Sequence, residues 1–354
     1  MTIPKSKYKD HLGLAMAKKR YNSKKKSRGA KMQPAITDLF YTIPAGTNPD
    51  GSPGRTDARS YVDTARSLSR VNRRLYSQSR LFGYQGLTFI WRQNAAKSIA
   101  SIELSVRTAG NTWVVQNAHT KGHALWNQMQ DLVLDDNPSI KGKWHDYKVR
   151  LSAQQIAARQ LDVKDSAGND YSAGEWAISK YVMPQHEVDP ATGLPLAADE
   201  KTACLIGTST TTIESLVNAY QESRATVQAI DPNVPAGMST SFFNLLTDSG
   251  SQEPELADVI EDENDQPPYA TDDYPGGAVN AGVPATVGYA AISASEVDGR
   301  IGGFVAPCGL LEIAVKGYNE NGAEVLVADM PAIDILLHVA PGSYKGVAAI
   351  PMGQ

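Results

Sequence analysis

Cysteine is nearly absent from the 354-residue sequence, with Cys204 and Cys308 the only two. Two thiols so far apart give neither a disulfide framework nor a zinc-binding pattern. No apolar run approaches the ~18 residues a membrane-spanning helix needs. No Asn-x-Ser/Thr acceptor occurs with x other than Pro. The opening residues carry charge where a secretory leader carries an apolar core, so no leader is expected. No Gly-rich phosphate loop ends in Gly-Lys-Ser/Thr, no G-x-G-x-x-G follows a strand pattern, and no G-x-S-x-G is present. Lys and Arg are missing from residues 225–299, which hold thirteen acids. These absences argue against a secreted disulfide scaffold, a nucleotide-phosphate enzyme and a serine hydrolase. They fit a protein assembled inside a cell.

Positive charge is crowded at the other end. Residues 18–31 hold eight cations and no acid: Lys18, Lys19, Arg20, Lys24, Lys25, Lys26, Arg28 and Lys31. Such a segment buries too little apolar surface to offset the entropy of ordering, so it reads as a mobile arm. Its partner should be a polyanion, and nucleic acid is the usual one. A solubilising tail is the plainer alternative. The clusters Lys18-Lys19-Arg20 and Lys24-Lys25-Lys26 also fit a nuclear-import signal, which would bring in the host import machinery. Residues 1–90 carry eighteen cations against five acids, a net +13, while the rest of the chain nets −17. A basic terminus on an acidic body confines nucleic-acid contact to the terminal region.

The pattern predicts an arm and Pro/Gly linker over 1–56 and one folded domain over 57–354. Residues 57–80 are ambiguous, because Tyr61, Ala65, Leu68, Val71 and Leu75 fit a basic amphipathic helix or a twisted first strand. Either would place Arg66, Arg70, Arg73, Arg74 and Arg80 beside the arm, with Arg70, Arg73 and Arg74 taken as further nucleic-acid contacts, and a solvated surface is an equal alternative for any one of them. From residue 84 the period is mostly two. Strands are expected around 87–91, in a hairpin over 100–117 turned at Ala109-Gly110-Asn111, and around 145–151, 175–183 and 202–207. Others follow at 286–294, 303–318, 323–328 and 333–339, with Asn319-Glu320-Asn321-Gly322 as a hairpin turn. Short helices are expected at 122–134 and, behind a Thr211/Glu214 capping box, up to about 225. Residues 248–284 read as a long acidic loop. Many short strands with few helices define an all-β antiparallel sandwich or jelly roll.

Candidate chemistry is sparse. His119 and His123 have metal-ligand spacing on a helix but no third ligand, so surface histidines are the better reading. Cys308 opens a strong strand and reads as a buried thiol. The acids of 253–273 offer paired carboxylates or a Ca²⁺ site, but their spacing misses the Ca²⁺-loop template. A solvated loop or a subunit contact, away from nucleic acid, suits them better. No catalytic residue, metal or cofactor is assigned.

The layout of basic arm, Pro/Gly linker and single β-sandwich is that of an icosahedral virus coat protein. Five stretches sharpen this. Ser67-Leu68-Ser69-Arg70-Val71-Asn72-Arg73-Arg74-Leu75-Tyr76-Ser77-Gln78, running into an aromatic-rich strand, resembles capsid proteins of small circular Rep-encoding single-stranded DNA viruses. So do Phe243-Asn244-Leu245-Leu246-Thr247-Asp248 with Glu263-Asn264-Asp265-Gln266-Pro267-Pro268-Tyr269 and Asp273-Tyr274-Pro275. So does Ala306-Pro307-Cys308-Gly309-Leu310-Leu311. The resemblance implies a single jelly-roll subunit that assembles with copies of itself into a closed shell around a circular single-stranded DNA genome. It also implies residence in the virion, assembly in the host nucleus, no membrane and no enzymatic activity. The arm is less arginine-rich than in many such capsids, which leaves its genome contacts open. Competing readings are an RNA-virus coat protein of the same fold, a β-sandwich hydrolase or carbohydrate-binding protein using the acidic loop, and a cellular nucleic-acid chaperone.

Overall fold

The computed structural model describes residues 34–46, 56–91, 99–140, 144–183, 191, 199–224, 283–296 and 298–353. The basic run 18–31 and the acidic run 253–273 lie outside them.

The chain is mostly β, in antiparallel sheets. In the first sheet β1 (Asp38–Ile43) pairs with β12 (Ile333–Val339), and β12 pairs with β3 (Arg80–Trp91). Strand β10 (Phe304–Pro307) takes the Leu81–Tyr84 part of β3, β9 (Gly299–Ile301) the Leu87–Phe89 part, and β15 (Ala349–Pro351) the Arg80–Phe82 end. The second sheet has the order β2 (Asp57–Asp63), β11 (Leu310–Tyr318), β4 (Ser101–Thr108), β8 (Ala285–Ser293). The inward residues of both sheets share one apolar core. Leu39, Tyr41, Phe89, Ile335 and Leu337 come from the first, and Val62, Ile102, Leu104, Ile313 and Val315 from the second.

Period two explains most of this, and one break in it is informative. Phe82 and Tyr84 face the core, but so do Leu87, Phe89 and Trp91, which have the opposite parity. The switch falls at Gly86, whose φ is +148°, opposite a register shift between His338 and Val339. A Cβ at Gly86 would lie 2.3 Å from the Ile301 carbonyl oxygen, so only glycine lets β9 pair here.

A second core covers the other side of β2 and β11. Val62 and Leu311 point between the sheets, whereas Tyr61 and Leu310 join the second cluster. Most of its other members come from α2 (Trp113–Asp136), the buried stretch Tyr147, Val149 and Leu151, and α3 (Leu216–Arg224), joined by Ala109, Tyr181, Ala203, Leu205, Ile206 and Cys308. Between them run β5 (Lys180–Met183), β6 (Asp199–Cys204) and β7 (Ile213–Ser215), the last pair parallel.

Several expectations need correction. The stretch read as linker contains β1, with Leu39 and Tyr41 fully buried. Its prolines and glycines flank a six-residue alternating strand, and their density hid it. Residues 57–80 are both alternatives in series, since β2 is followed directly by α1 (Thr64–Asn72). The carboxylate of Asp63 caps that helix by accepting from Arg66 N at 3.0 Å.

The 100–117 hairpin does not form. Thr112 Oγ1 caps Val115 N at 3.3 Å, and Trp113 begins a 24-residue helix rather than a return strand. Its buried face (Val114, Ala118, Gly122, Leu125) has helical spacing, masked by the polar residues between. The helices are therefore not all short. Residues 144–151 run extended, but their only bridge is Arg150 to Cys204. The expected strand at 323–328 is reduced to the bridge between Tyr318 and Glu324 and a 3-10 turn, Val327–Asp329. Glu214 caps no helix. It lies in β7 and accepts from Lys201 Nζ at 2.7 Å and Ser209 Oγ at 2.8 Å.

Candidate nucleic-acid interface

Pro34 O accepts from Arg74 Nη1 at 3.1 Å. Ile36 exchanges two bonds with the Asn72 side chain, N to Oδ1 at 2.8 Å and Nδ2 to O at 3.0 Å. Residues 34–36 are thus tied to the last turn of α1. Lys31, the last cation of the basic run, shortly precedes them in the sequence.

Of the three body arginines expected to contact nucleic acid, the structure separates one from the other two. Arg70 is largely buried and bound to Asp162, which also takes Arg66 at 3.1 Å. A guanidinium engaged in this way is a structural clamp between α1 and the 160s segment. Arg73 takes the left-handed position that ends α1, with φ +52°, and is exposed. Arg74 holds Pro34.

Two further cations complete the patch: Arg80, which ends the basic stretch 57–80, and Lys345, which the sequence pattern does not single out. Arg80 lies over the ring of Tyr344, 3.6 Å from its centroid. Lys345 Nζ donates to the Leu75 carbonyl and lies 5.2 Å from the Tyr344 centroid. Tyr76 packs edge-on against Tyr344 at 5.9 Å and donates its hydroxyl to Lys345 O at 2.8 Å. Burial raises the Tyr76 pKa, and nearby Arg74 opposes the shift, so the phenol stays a neutral donor. The signal for Lys345 was the aromatic-basic turn Tyr344-Lys345-Gly346. It lies far from the arm in sequence. The tight hairpin of β13 (Pro341–Gly342) and β14 (Gly346–Val347) brings it there.

Among the described residues no carboxylate pairs with Arg73, Arg74, Arg80 or Lys345. Elsewhere Arg59 binds Asp57, Arg107 binds Glu312, Lys201 binds Glu214 and Lys316 binds Glu324. Four cations left without acids, around one loop and two tyrosines, form a surface suited to phosphates and bases.

The loop itself is stiff. Ser77 N donates to Tyr344 Oη at 2.9 Å and Ser77 Oγ to Asp146 Oδ1 at 2.9 Å. Gln78 N reaches Asp146 Oδ2 at 3.0 Å, and Gln78 Nε2 reaches Asp63 Oδ2 at 3.0 Å. Burial pushes the Asp63 carboxyl up to about 6, against the stabilising bonds from Arg66 N, Trp176 and Gln78.

The other candidates fare differently. His119 is buried, with neither ring nitrogen hydrogen-bonded, and desolvation pulls its pKa down to about 3. His123 stacks on Tyr147 at 5.0 Å with planes 4° apart. The surface reading of His119 is therefore wrong. Among the described residues no three His, Cys, Asp or Glu side chains gather as a metal cluster. Cys308 and Cys204 are buried, and desolvation raises both thiol pKa values. No helix among the described residues is long and apolar enough to cross a membrane. In comparisons with known proteins, no family model, no curated protein and no solved structure matches the chain.

Proposed function

We propose that this chain is a viral coat protein whose folded body is a single jelly roll. Copies of it close an icosahedral shell, and the basic arm packages a circular single-stranded DNA genome. One observation carries the reading. Two facing sheets contain the orders β1-β12-β3-β10 and β2-β11-β4-β8. Taken along the chain, the eight core strands (β1, β2, β3, β4, β8, β10, β11, β12) change sheet at every step except β4 to β8, an arrangement that supports the jelly-roll reading. The point where the arm meets the body supports the same reading. Residues 34–36, which follow the run 18–31 in sequence, are tied to Asn72 and Arg74, so the chain leads from that run to the side that carries Arg73, Arg74, Arg80 and Lys345.

Charge supports it as well. Arms netting +10 each would give sixty copies roughly +600 of counter-charge for phosphates. The acidic remainder of the body would keep the rest of the surface off nucleic acid. On this reading the protein resides in the virion, passes through the host nucleus with the import machinery, and has itself and the genome as its partners.

Size-exclusion chromatography with negative-stain microscopy of the full chain tests the proposal. Megadalton shells that protect nuclease-resistant single-stranded DNA are expected. A stable monomer that neither assembles nor retains nucleic acid would overturn it. Particles holding only RNA would replace the DNA genome with an RNA one.

A further inference from the structure

Close in sequence to Asp146, the acceptor of Ser77 and Gln78, stands Trp144, paired with Trp176, which packs against the first core. Trp144 belongs to neither apolar cluster, and 42% of it is exposed. Its ring lies 5.8 Å from that of Trp176, with 32° between the planes. Lys148 Nζ is 4.3 Å from the Trp144 centroid and 5.0 Å from the Trp176 centroid. The same ammonium donates to Asp146 O at 3.3 Å. Trp176 is fixed in place, because its Nε1 donates to Asp63 Oδ2 at 2.7 Å. No hydrogen-bond partner of the Trp144 indole occurs among the described residues.

An exposed indole backed by a pinned indole and a buried ammonium is costly to leave in water and already ordered. It therefore loses little entropy on binding a flat ligand. The charges nearby decide which part of a nucleotide fits. Asp146 and Asp63 sit next to Lys148, so this spot does not attract a phosphate. The loop residue Ser77 links this spot to the phosphate-attracting cations around Tyr344. Ser77 touches both sides, meeting Tyr344 through its backbone N–H and Asp146 through its hydroxyl. We infer that Trp144, supported by Trp176 and Lys148, stacks an unpaired nucleobase of a single strand whose phosphates follow Arg73, Arg74, Arg80 and Lys345. The site is indifferent to base identity, since every base offers a π-face.

The inference rests on the nucleic-acid reading of the arm, and the test separates the two. Full-length chain is titrated with a fluorescent ten-nucleotide oligothymidylate and with an abasic deoxyribose-phosphate chain of the same length. Base stacking predicts tighter binding of the oligothymidylate by roughly 5- to 100-fold. Trp144→Ala should remove that preference. Trp144→Phe should keep most of it, which guards against a folding defect in the alanine variant. Indole emission should be quenched by the oligothymidylate and not by the abasic chain, and Trp144→Phe should lose the quenching. If both strands bind equally and emission is unchanged, the stacking site is wrong while the arm reading survives. If neither strand binds, both are wrong.

Discussion

The indole nitrogen of Trp176 donates to the buried carboxylate of Asp63, Nε1 to Oδ2 at 2.7 Å. That carboxylate also caps α1 and holds Gln78, so it joins the helix, the 75–80 loop and the tryptophan pair. Asp63→Ala deletes the cap, worth about 0.5–2 kcal/mol. It also leaves two buried donors unsatisfied, at about 1–3 kcal/mol for such groups. Urea unfolding should show a loss of about 2–4 kcal/mol, with Asp63→Asn much milder. Equal losses for the two variants would contradict this account of the network.

A second prediction separates structural from binding arginines. Arg70→Ala should lower stability by about 1–3 kcal/mol, because it leaves Asp162 with half its partners. It should leave the salt dependence of oligonucleotide binding unchanged. Arg73→Ala should do the reverse. It should cost almost no stability and lower the slope of log K against log salt by about 0.7 for a single strand. If Arg70→Ala alters the slope as much as Arg73→Ala, the clamp assignment is wrong.

The arm itself makes a third. Removing residues 1–31 should leave the thermal unfolding of the body unchanged, since a segment so rich in cations has little apolar surface to bury. The truncated protein should retain far less nucleic acid after purification, read from the 260/280 nm absorbance ratio. Unchanged nucleic-acid content would sink the packaging role.

Stability should depend on pH through two buried groups of opposite sign. The folded pKa of His119, about 3, lies below its ordinary 6.5, so the unfolded chain takes up a proton first. Stability from this site falls as pH drops from about 6.5 toward 3. His123, also lowered by burial, acts in the same direction. Asp63 is raised from 3.8 to about 6, so the folded chain protonates first and stability rises as pH drops across that interval. The two effects oppose each other between about pH 6 and 4. Asp63→Asn should therefore uncover a fall of about 1.4 kcal/mol per pH unit there. Adding His119→Phe should flatten it. A pH profile for Asp63→Asn that matches the parent would refute the assignment.

The second core yields a steric prediction. A Cβ on Gly122 would lie 2.7 Å from Leu216 Cδ2, 2.8 Å from Tyr181 Oη and 2.9 Å from Tyr147 Oη. Gly122→Ala should wedge α2 from α3 and cost about 1–3 kcal/mol. Thermal melting reads it, and a neutral result would mean that this packing yields easily.

Much of the sandwich was legible because its strands alternate cleanly. Ile102, Leu104 and Val106, or Ile333, Ile335 and Leu337, announce one buried face each. What escaped were elements whose local pattern competes with their context. The strand carrying Leu39 and Tyr41 hid between prolines. The face of α2 was broken by Gln116, Asn117 and Thr120, while Gly110-Asn111 mimicked a hairpin turn. At the candidate interface, Arg73 and Arg74 were readable because they follow the arm in sequence. Arg70 looked equivalent to them until Asp162, more than one strand away in the chain, was seen to claim it. Lys345 and the pair Trp144–Trp176 depend on long-range juxtaposition, which no local pattern encodes.

The middle of each sheet is built from late sequence. Strand β11 lies between β2 and β4, and β12 lies between β1 and β3. A nascent chain that has reached only β10 therefore holds β2 apart from β4, and β1 apart from β3, with their inner edges bare. Neither sheet can close until residues 310–339 have left the ribosome. Prematurely terminated chains would lack the strand that joins the halves, so the topology admits only completed chains to the folded pool and excludes fragments from any assembly drawn from it.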